Sequence, residues 1–354
     1  MDPVITLVVV NYNARRWLER FFSSIKEQTI FERCELVLVD NTSTDGSAEI
    51  CREELKNWPN GRFLPSGGNF GYGEGCNIGA KAARGKYLYF LNLDVWLEPD
   101  CLEKLAEHAE NSSAMVFSAM ELAYDSQQFV RGSQGQGLPG FDLFGCTTSS
   151  SDQENIEDLI ALGSFQFIQR DFFLQIGGFD RVFFVYGEEL DLSWRVRIAG
   201  ETIELVRGAR VHHAAAGCSE PVSRTSEFRR FYANRNQLLT FLKNSNGPLL
   251  LLAFNFVFLM GFEAVAGAVL ARNVTFIKMS FGEPLADCWR LRHYIREQRQ
   301  MIAGYRRHGD LWLVRRYFRF EFGHWADIKR FLKWRIAIDK SKLPANHAQT
   351  GPKI

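Results

Sequence analysis

Four short apolar runs in the first hundred residues alternate with segments that have a helical pattern. The first run, Ile5 to Val10, is continuous and β-branched, as is typical of a strand buried on both faces of a parallel sheet. Further strands are predicted at 35–39, 62–64 and 87–93, and helices at 15–28, at 47–55 and in a segment ending near residue 83. This alternation predicts an α/β fold with a doubly wound, Rossmann-like, mostly parallel sheet.

Polar side chains follow the predicted strands at the edge where ligands of such sheets bind, beyond the carboxyl ends. They are Asn11, Asn13, Asp40, Asn69 and Asp94. The run Asn92-Leu93-Asp94 closes an apolar strand, and a carboxylate beside an amide oxygen can hold Mg²⁺ or Mn²⁺ against substrate phosphates. The alternative is that Asp94 only belongs to an ordinary turn between the strand and the next helix, for which Asp100 with Glu103 predicts a capping box.

Three carboxylates, Glu188, Glu189 and Asp191, lie directly after a Tyr-Gly turn, where a helix is predicted to begin. The histidines His212 and His213 follow at the end of a short strand-like run. Rigid carboxylates with a histidine suit a site that removes a proton next to a metal-bound anion. The alternative is that the acids only cap the helix.

The segment 67–79 contains six glycines, which let the backbone approach a bulky ligand and adopt positive φ. It contains no G-x-G-x-x-G and does not follow the first strand, so the dinucleotide-binding fingerprint is excluded. The Walker A pattern is also absent from the sequence.

The 354 residues are 46% hydrophobic, and this length suggests about two domains. The net charge of +1 conceals a basic segment at 290–335, with 13 Lys and Arg against 4 Asp and Glu. That segment suggests an anionic surface as partner. The seven cysteines include no C-x-x-C pair, which favours a reducing compartment and argues against a disulfide framework or zinc site. The N-terminus lacks a basic region and predicts no secretory signal.

Taken in order, these motifs resemble family 2 glycosyltransferases, and more narrowly the rhamnosyltransferase-like branch that builds bacterial cell-surface polysaccharides. The resemblance covers about residues 4–240. It implies the GT-A fold, a nucleotide-sugar donor (a dTDP- or UDP-sugar), Mg²⁺ or Mn²⁺, and inversion at the anomeric carbon. The motifs that carry it are Val9–Asn13, Val39–Ser47, Asn69–Gly73, Asn92–Asp94, Gly177–Asp180, Tyr186–Leu192 and His212–His213.

The resemblance also implies roles for individual residues. Asp40 would accept a hydrogen bond from the donor base, and Asp94 would bind the metal, with Asn92 in the place of the first acid of the family's D-x-D. Glu189 occupies the position of the catalytic base, where aspartate is more usual, and Glu188 or Asp191 could share the role. His212 would help to hold the metal or the diphosphate, and Asp180 would contact the acceptor. The remaining nucleotide-sugar contacts would be Asn11, Asn69 and Gly71, together with Asn92.

After residue 240 the chain is predicted to be a helical, membrane-associated region, 241–354, appended to a catalytic domain, 1–240. Residues 248–262 are apolar apart from Asn255, too short a run for a clean span, which favours a helix embedded in the cytosolic leaflet. From Leu311 onward, apolar residues at helical spacing alternate with basic ones, as in an interfacial amphipathic helix. The alternative is a helix packed on the catalytic domain.

The expected enzyme is therefore a glycosyltransferase at the cytoplasmic face of the cell membrane, acting on a lipid-linked or glycan acceptor. No nucleic acid partner is expected, since no recognised motif is present. Residues 121–158 are expected to form a long loop, either a lid over the substrate or disordered. Two other functions are a nucleotidyl-sugar pyrophosphorylase and a non-catalytic relative serving as a scaffold. A pyrophosphorylase should carry a glycine-rich basic loop after the first strand, where Asn11-Tyr12-Asn13 stands instead.

Overall fold

The computed structural model describes residues 3–126, 140–144, 147–148, 160, 165–214, 227–271 and 274–319. Eight strands within these ranges form one sheet, and a separate two-stranded pair is antiparallel. The strands of the main sheet are β1 (Ile5–Asn11), β2 (Cys34–Asp40), β3 (Gly61–Pro65), β4 (Tyr87–Leu91), β5 (Val95–Leu97), β6 (Val116–Ala123), β9 (Phe167–Gln169) and β10 (Ile203–His213). The small pair is β7 (Gly140–Phe141) with β8 (Thr147–Thr148).

Five helices alternate with strands before residue 180, and a sixth begins with the acidic cluster of Glu188, Glu189 and Asp191. Six more helices follow β10 in the chain. The first six are α1 (Leu18–Lys26), α2 (Ser47–Lys56), α3 (Tyr72–Ala82), α4 (Cys101–Asn111), α5 (Arg170–Gln175) and α6 (Glu188–Ile198). The others are α7 (Glu227–Asn244), α8 (Leu250–Ala271), α9 (Thr275–Ile277), α10 (Glu283–Arg290), α11 (Arg292–Tyr305) and α12 (Asp310–Tyr317), with one π-helical turn at Lys278–Gly282.

The strand order is β3-β2-β1-β4-β9-β6-β10-β5. β1 pairs in parallel with β2 and β4, and β6 pairs in parallel with β10. β9 joins these two parallel groups as an antiparallel strand, and β5 forms an antiparallel edge against β10. The prediction of a mostly parallel, doubly wound sheet is confirmed, and the register sets Asn11 opposite Asp40 at the carboxyl edge.

Alternate residues of β1 face opposite sides of the sheet, as the two-residue period of a strand requires. Leu7 and Val9 pack in the hydrophobic cluster that includes α1, α2 and α4. Val8 and Val10 pack on the other side, in the cluster that includes α3, α5 and α6. Helices therefore cover both faces, which explains why the strands read as continuous apolar runs.

Helix α6 is buried on both of its long sides. Leu192 and Val196 pack toward the sheet, whereas Trp194 and Ile198 pack in a third cluster formed largely by α7, α8 and the helices that follow. Helix α7 runs without a break across residue 240, and the described residues up to 319 belong to one compact unit. The proposed division into 1–240 and 241–354 stays a prediction.

Two local predictions were wrong. Asp100 precedes α4 without capping it, because its carboxylate pairs with Lys104 Nζ at 2.6 Å, while Glu103 accepts a hydrogen bond from Thr29. The helix expected from Leu311 onward ends at Tyr317, where the backbone becomes extended. Residues 320–354, and most of the predicted loop at 121–158, lie outside the described residues, although residues 121–123 belong to β6.

Candidate active site

Asp94 lies between the end of β4 and the start of β5, with its side chain 1% exposed. One carboxylate oxygen, Oδ1, is 3.3 Å from His213 Nε2. The other, Oδ2, is buried without a hydrogen-bond partner. Because a buried carboxylate oxygen normally has a partner, this bare oxygen marks a position where a cation would be favourable.

His213, and not His212, is the histidine beside Asp94. The role of His212 at the metal or the diphosphate stays a prediction. His213 Nδ1 lies 2.6 Å from Glu121 Oε1, and Glu121 is itself buried. Burial alone would lower the pKa of His213, but the carboxylates of Asp94 and Glu121 raise this pKa to about 9. His212 instead stacks on Trp96, with ring centroids 3.7 Å apart, and its Nε2 lies 3.2 Å from a Glu98 oxygen.

The residues around Asp94 fit a divalent cation that also binds substrate phosphates. The unpartnered Oδ2 supplies an oxygen ligand. His213, which would release its proton on binding a metal, has its second ring nitrogen held by the Glu121 carboxylate, as metal-binding histidines do. In the described part of the chain, no group of three or more His, Cys, Asp or Glu side chains could hold a metal. Mg²⁺ and Mn²⁺ take few protein ligands and complete their shell with water and phosphate, so Asp94 and His213 could hold one without a third side chain.

The two glutamates at the start of α6 differ in exposure. Glu188 is 3% exposed, and its Oε2 has no hydrogen-bond partner. Burial, and then the charge of Glu189, raises the pKa of Glu188 well above its ordinary value. Glu189 is only half-buried, and burial raises its pKa to about 7. A carboxylate with this pKa has the basicity that a general base needs near neutral pH.

Asp191 and Asp180 belong to a buried network of two carboxylates and two cations. Asp191 contacts Lys243 Nζ at 2.9 Å and Arg195 Nε at 2.9 Å, and Asp180 also pairs with Lys243. Burial opposes ionisation of Asp191, but Lys243 and then Arg195 hold its pKa below the ordinary value. Tyr294 donates a hydrogen bond of 2.7 Å to Asp180. Neither carboxylate is available to a substrate, so base chemistry at Asp191 and acceptor contact at Asp180 are not supported.

At the ends of β1 and β2, Asn11 and Asp40 are joined by a hydrogen bond. Asn11 Nδ2 donates to Asp40 Oδ1 at 2.8 Å and to Ser47 Oγ at 2.9 Å, and Asn11 is fully buried. The Ser43 N–H donates to the other Asp40 oxygen at 3.2 Å. Asn11 therefore orients Asp40 and is too deeply buried to contact a nucleotide itself. Asp40 is slightly exposed to solvent.

The glycine-rich segment 67–79 packs against the segment that leads into α6. Gly71 has φ +83°, and a Cβ on it would lie 2.1 Å from the Phe184 carbonyl oxygen, so only glycine fits. The Tyr72 N–H donates to that same carbonyl at 2.8 Å. Asn69 Oδ1 accepts from the Gly71 N–H at 3.1 Å, which shapes the loop from within. Asn92 is half-buried two residues before Asp94.

The segment Phe165-Gln166 was missed from the sequence, and it contacts both halves of the site. The Phe165 ring lies edge-on to His213, with centroids 4.9 Å apart. Gln166 Nε2 donates to the Glu189 carbonyl oxygen at 3.2 Å, and the Gln166 carbonyl accepts from the Phe90 N–H. The histidine beside Asp94 and the first turn of α6 are thus tied to the same two residues.

Known proteins resemble this chain in sequence and in fold. Residues 6–177 match the model of the family described as glycosyl transferase family 2. The chain is 30% identical over 243 residues to the N-acetylglucosaminyl-diphospho-decaprenol L-rhamnosyltransferase of Mycobacterium tuberculosis, covering 61% of this chain and 78% of the relative. It is 23% identical over 229 residues to the rhamnosyltransferase WbbL of Escherichia coli K12, covering 60% and 84%.

Solved structures share the fold. GalNAc-T7, crystallised with UDP, GalNAc and Mn²⁺, gives a TM-score of 0.63 at 15% identity, covering 93% of this chain and 58% of the longer protein. TarS 1–349 of S. aureus gives 0.51 at 15% identity, covering 85% and 88%. The mannosyltransferase PcManGT of Pyrobaculum calidifontis, solved with GDP-Man and Mn²⁺, gives 0.51 at 16% identity, covering 86% and 85%. Taken with the sequence relatives, these likenesses establish that the chain belongs to glycosyl transferase family 2 and is a glycosyltransferase with the GT-A fold.

Proposed function

We propose that this glycosyltransferase is inverting and transfers rhamnose from a dTDP- or UDP-linked donor to a hydroxyl of a lipid-linked acceptor in cell-surface glycan synthesis. The proposal rests on the combination of two carboxylates: Asp94, with its unpartnered buried oxygen, and Glu189, whose pKa is raised to about 7. One group suits a cation beside a leaving diphosphate, and the other suits proton removal from an alcohol.

Glu189 would take the proton from the acceptor hydroxyl while the acceptor oxygen forms a bond to the anomeric carbon. The bond from that carbon to the diphosphate oxygen breaks, and the nucleoside diphosphate leaves. A single displacement of this kind inverts the anomeric configuration. Glu188, whose pKa is raised by burial, is not needed as a second base in this step.

Asp94 and His213 would hold Mg²⁺ or Mn²⁺. When bound, this cation would neutralise the charge that develops on the leaving diphosphate. Support comes from the chain's own residues and from the Mn²⁺ present in GalNAc-T7 and PcManGT. We expect Asp94→Ala to fold normally and to lose transfer. Full activity of this variant, or of the wild type in excess chelator, would refute a metal-dependent reaction.

The sugar and the acceptor are proposed from the relatives' names. Those names specify L-rhamnosyl transfer and, in the mycobacterial protein, an N-acetylglucosaminyl diphosphate carried on decaprenol. Asp40, oriented by Asn11, would receive the donor base at the ends of β1 and β2. This is the binding edge of a doubly wound sheet.

The deciding experiment incubates the enzyme and Mn²⁺ with dTDP-rhamnose, UDP-glucose and GDP-mannose in turn, with polyprenyl-diphospho-N-acetylglucosamine as acceptor. Released nucleoside diphosphate and the anomeric configuration of the product, determined by NMR, are the readouts. We expect turnover with dTDP-rhamnose and inversion. Glu189→Gln should lower turnover by about 10²–10⁴-fold, whereas the matched Glu188→Gln should stay near wild type. Retention of configuration, or an active Glu189→Gln, would refute the mechanism.

We further propose that the enzyme lies on the cytoplasmic face of the membrane, attached through α8. This helix is the single described one that is long and apolar enough to span a bilayer. One of its faces is buried against the protein, at Phe256, Met260 and Ala264 among others. The opposite face is an exposed apolar stripe made by Leu251, Phe254, Phe258, Phe262, Val265 and Val269.

A helix with one face packed on its own protein and the other exposed suits insertion along the interface rather than a crossing. Each large apolar side chain that is fully removed from water contributes about 1.5–3 kcal/mol. Flotation with anionic liposomes should carry wild type upward, and the triple variant Phe254→Ser, Phe258→Ser, Phe262→Ser should stay at the bottom. A matched change at Ile50 and Leu174, exposed apolar residues elsewhere, should not alter flotation. Wild-type protein that stays at the bottom in the flotation assay would refute attachment through α8.

A further inference from the structure

The segment between Asp180 and α6 has an unusual backbone. Phe184 and Tyr186 have φ of 63° and 69°, and Gly187, the residue before α6, has φ of 85°. Non-glycine residues avoid the left-handed region, so two aromatic residues in it within three positions are strained. Such strain persists only where surrounding contacts over-determine the conformation, and it concentrates at functional sites. The strained segment ends one residue before Glu188 and two before Glu189.

Asn236, near the middle of α7, lies directly beneath this strained segment. Its Nδ2 is within hydrogen-bond distance of three carbonyl oxygens of the segment, those of Phe183 at 3.0 Å, Val185 at 2.9 Å and Tyr186 at 2.6 Å. The residue is fully buried, and a Cβ on Gly187 would lie 3.7 Å from its own Cβ.

Arg235 completes the contact from the same helix. Its Nη2 donates to the carbonyl oxygens of Val182 and Phe183, and its Nε donates to Asn236 Oδ1 at 3.0 Å. Its Nη1 pairs with Asp287 on α10 at 3.0 Å. Asn236 is therefore fixed in orientation by Arg235, and Arg235 is fixed by a carboxylate from another helix.

The Phe184 carbonyl, which Asn236 does not reach, accepts from the Tyr72 N–H instead. Every carbonyl oxygen from Phe183 to Tyr186 is thus bonded from outside the segment. These bonds fix the direction in which α6 starts, and hence where its first-turn carboxylates point.

We propose that Asn236, oriented by Arg235, is a positioning residue for catalysis: it holds the strained segment 183–187 so that Glu189 faces the acceptor hydroxyl. The inference rests on the proposed role of Glu189 as base. Asn236 touches neither donor nor acceptor in this scheme. Its loss should therefore slow the chemical step without weakening the donor, because small misplacement of a reacting group lowers rate steeply.

The test compares Asn236→Ala with Asn234→Ala in the full-length enzyme. Asn234 is the matched control, since it lies on the same helix and donates a 2.7 Å bond to the Ser280 carbonyl, away from the segment. We measure kcat, donor KM, binding of dTDP by calorimetry, and Tm. Asn236→Ala should lower kcat by about 10- to 100-fold with dTDP affinity and donor KM nearly unchanged, and Asn234→Ala should keep wild-type kcat. Equal kcat in the two variants, or a loss of dTDP affinity that matches the loss of kcat, would overturn the inference.

A double variant separates this inference from the base assignment. If Asn236 acts through Glu189, then Asn236→Ala should not slow Glu189→Gln any further. A further loss as large as that in the wild type would overturn the positioning role. If Glu189→Gln alone is fully active, the base assignment fails independently of Asn236. Should Asn236→Ala not fold, Asn236→Ser, which keeps one donor, should fold and show an intermediate kcat; a wild-type kcat in it would overturn the inference.

Discussion

Lys243 is the residue whose loss should most reveal how the C-terminal helices stabilise the catalytic domain. It lies on α7, is fully buried, and pairs with both Asp180 and Asp191. With Arg195 these residues form a buried set of two negative and two positive charges. Replacing Lys243 with Met keeps much of its volume but leaves two buried carboxylates facing one cation.

Removing one partner of a buried ion pair costs about 3–5 kcal/mol, because the remaining charge is left uncompensated. A typical domain is stable by only about 5–15 kcal/mol in total, so Lys243→Met should be severely destabilised. In thermal unfolding followed by circular dichroism, we expect Tm to fall by on the order of 10 °C. The matched control is Lys26→Met, which breaks the exposed pair with Glu54 and should cost less than about 1 kcal/mol.

The uncompensated charge predicts two further properties of the Lys243→Met variant. Adding Asp180→Asn removes one uncompensated carboxylate, so the double variant should recover much of the lost stability. In the wild type the pKa of Asp191 is held low, so the ionised carboxylate stabilises the fold until the pH falls through that low pKa. Without Lys243 this pKa should rise, so the penalty of Lys243→Met should shrink as pH falls from 8 to 5. A Tm loss no larger than that of Lys26→Met, or strictly additive single effects, would refute the reasoning.

Three other outcomes are expected. Because burial raises the pKa of Glu189 to about 7 and a base must be deprotonated, kcat should rise with pH and reach half its maximum near pH 7; a flat profile between pH 5.5 and 8.5 would contradict this. Gly71→Ala should lower both Tm and kcat, since its methyl group would overlap the Phe184 carbonyl; wild-type values of both would show that the loop relaxes freely. His213→Ala should weaken Mn²⁺ binding, measured by electron paramagnetic resonance, more than His212→Ala does; the reverse order would restore His212 as the ligand.

The parallel strands could be predicted because each is buried on both faces and its apolar run is therefore uninterrupted. The acidic start of α6 could be predicted for a similarly local reason, since glycine and acids mark a helix N-terminus. Asp94 followed from its place at a strand end. These features depend on neighbours in the chain, so the sequence carries them directly.

The choice between His212 and His213 depends instead on a register that the sequence does not show. From Val206 to Arg210, β10 advances four residues while its partner β6 advances one, from Ala119 to Met120. The three inserted residues are an odd number, so they reverse which face each later side chain occupies. Sequence alone placed a histidine pair at the strand end but had no means of choosing the member that meets Asp94.

The same limit applies to the acids of α6, and there it exposes how the enzyme is built. A helix start rich in carboxylates looks uniform in sequence, yet its three acids have three different states. The pKa of Asp191 is held low because Lys243 from α7 reaches it, the pKa of Glu188 is raised by burial, and Glu189 is only half-buried. The first of these differences comes from Lys243, 52 positions further along the chain. Helix α7, which crosses residue 240, therefore sets the charge state of Asp191, and in our proposal it also sets the direction in which Glu189 points.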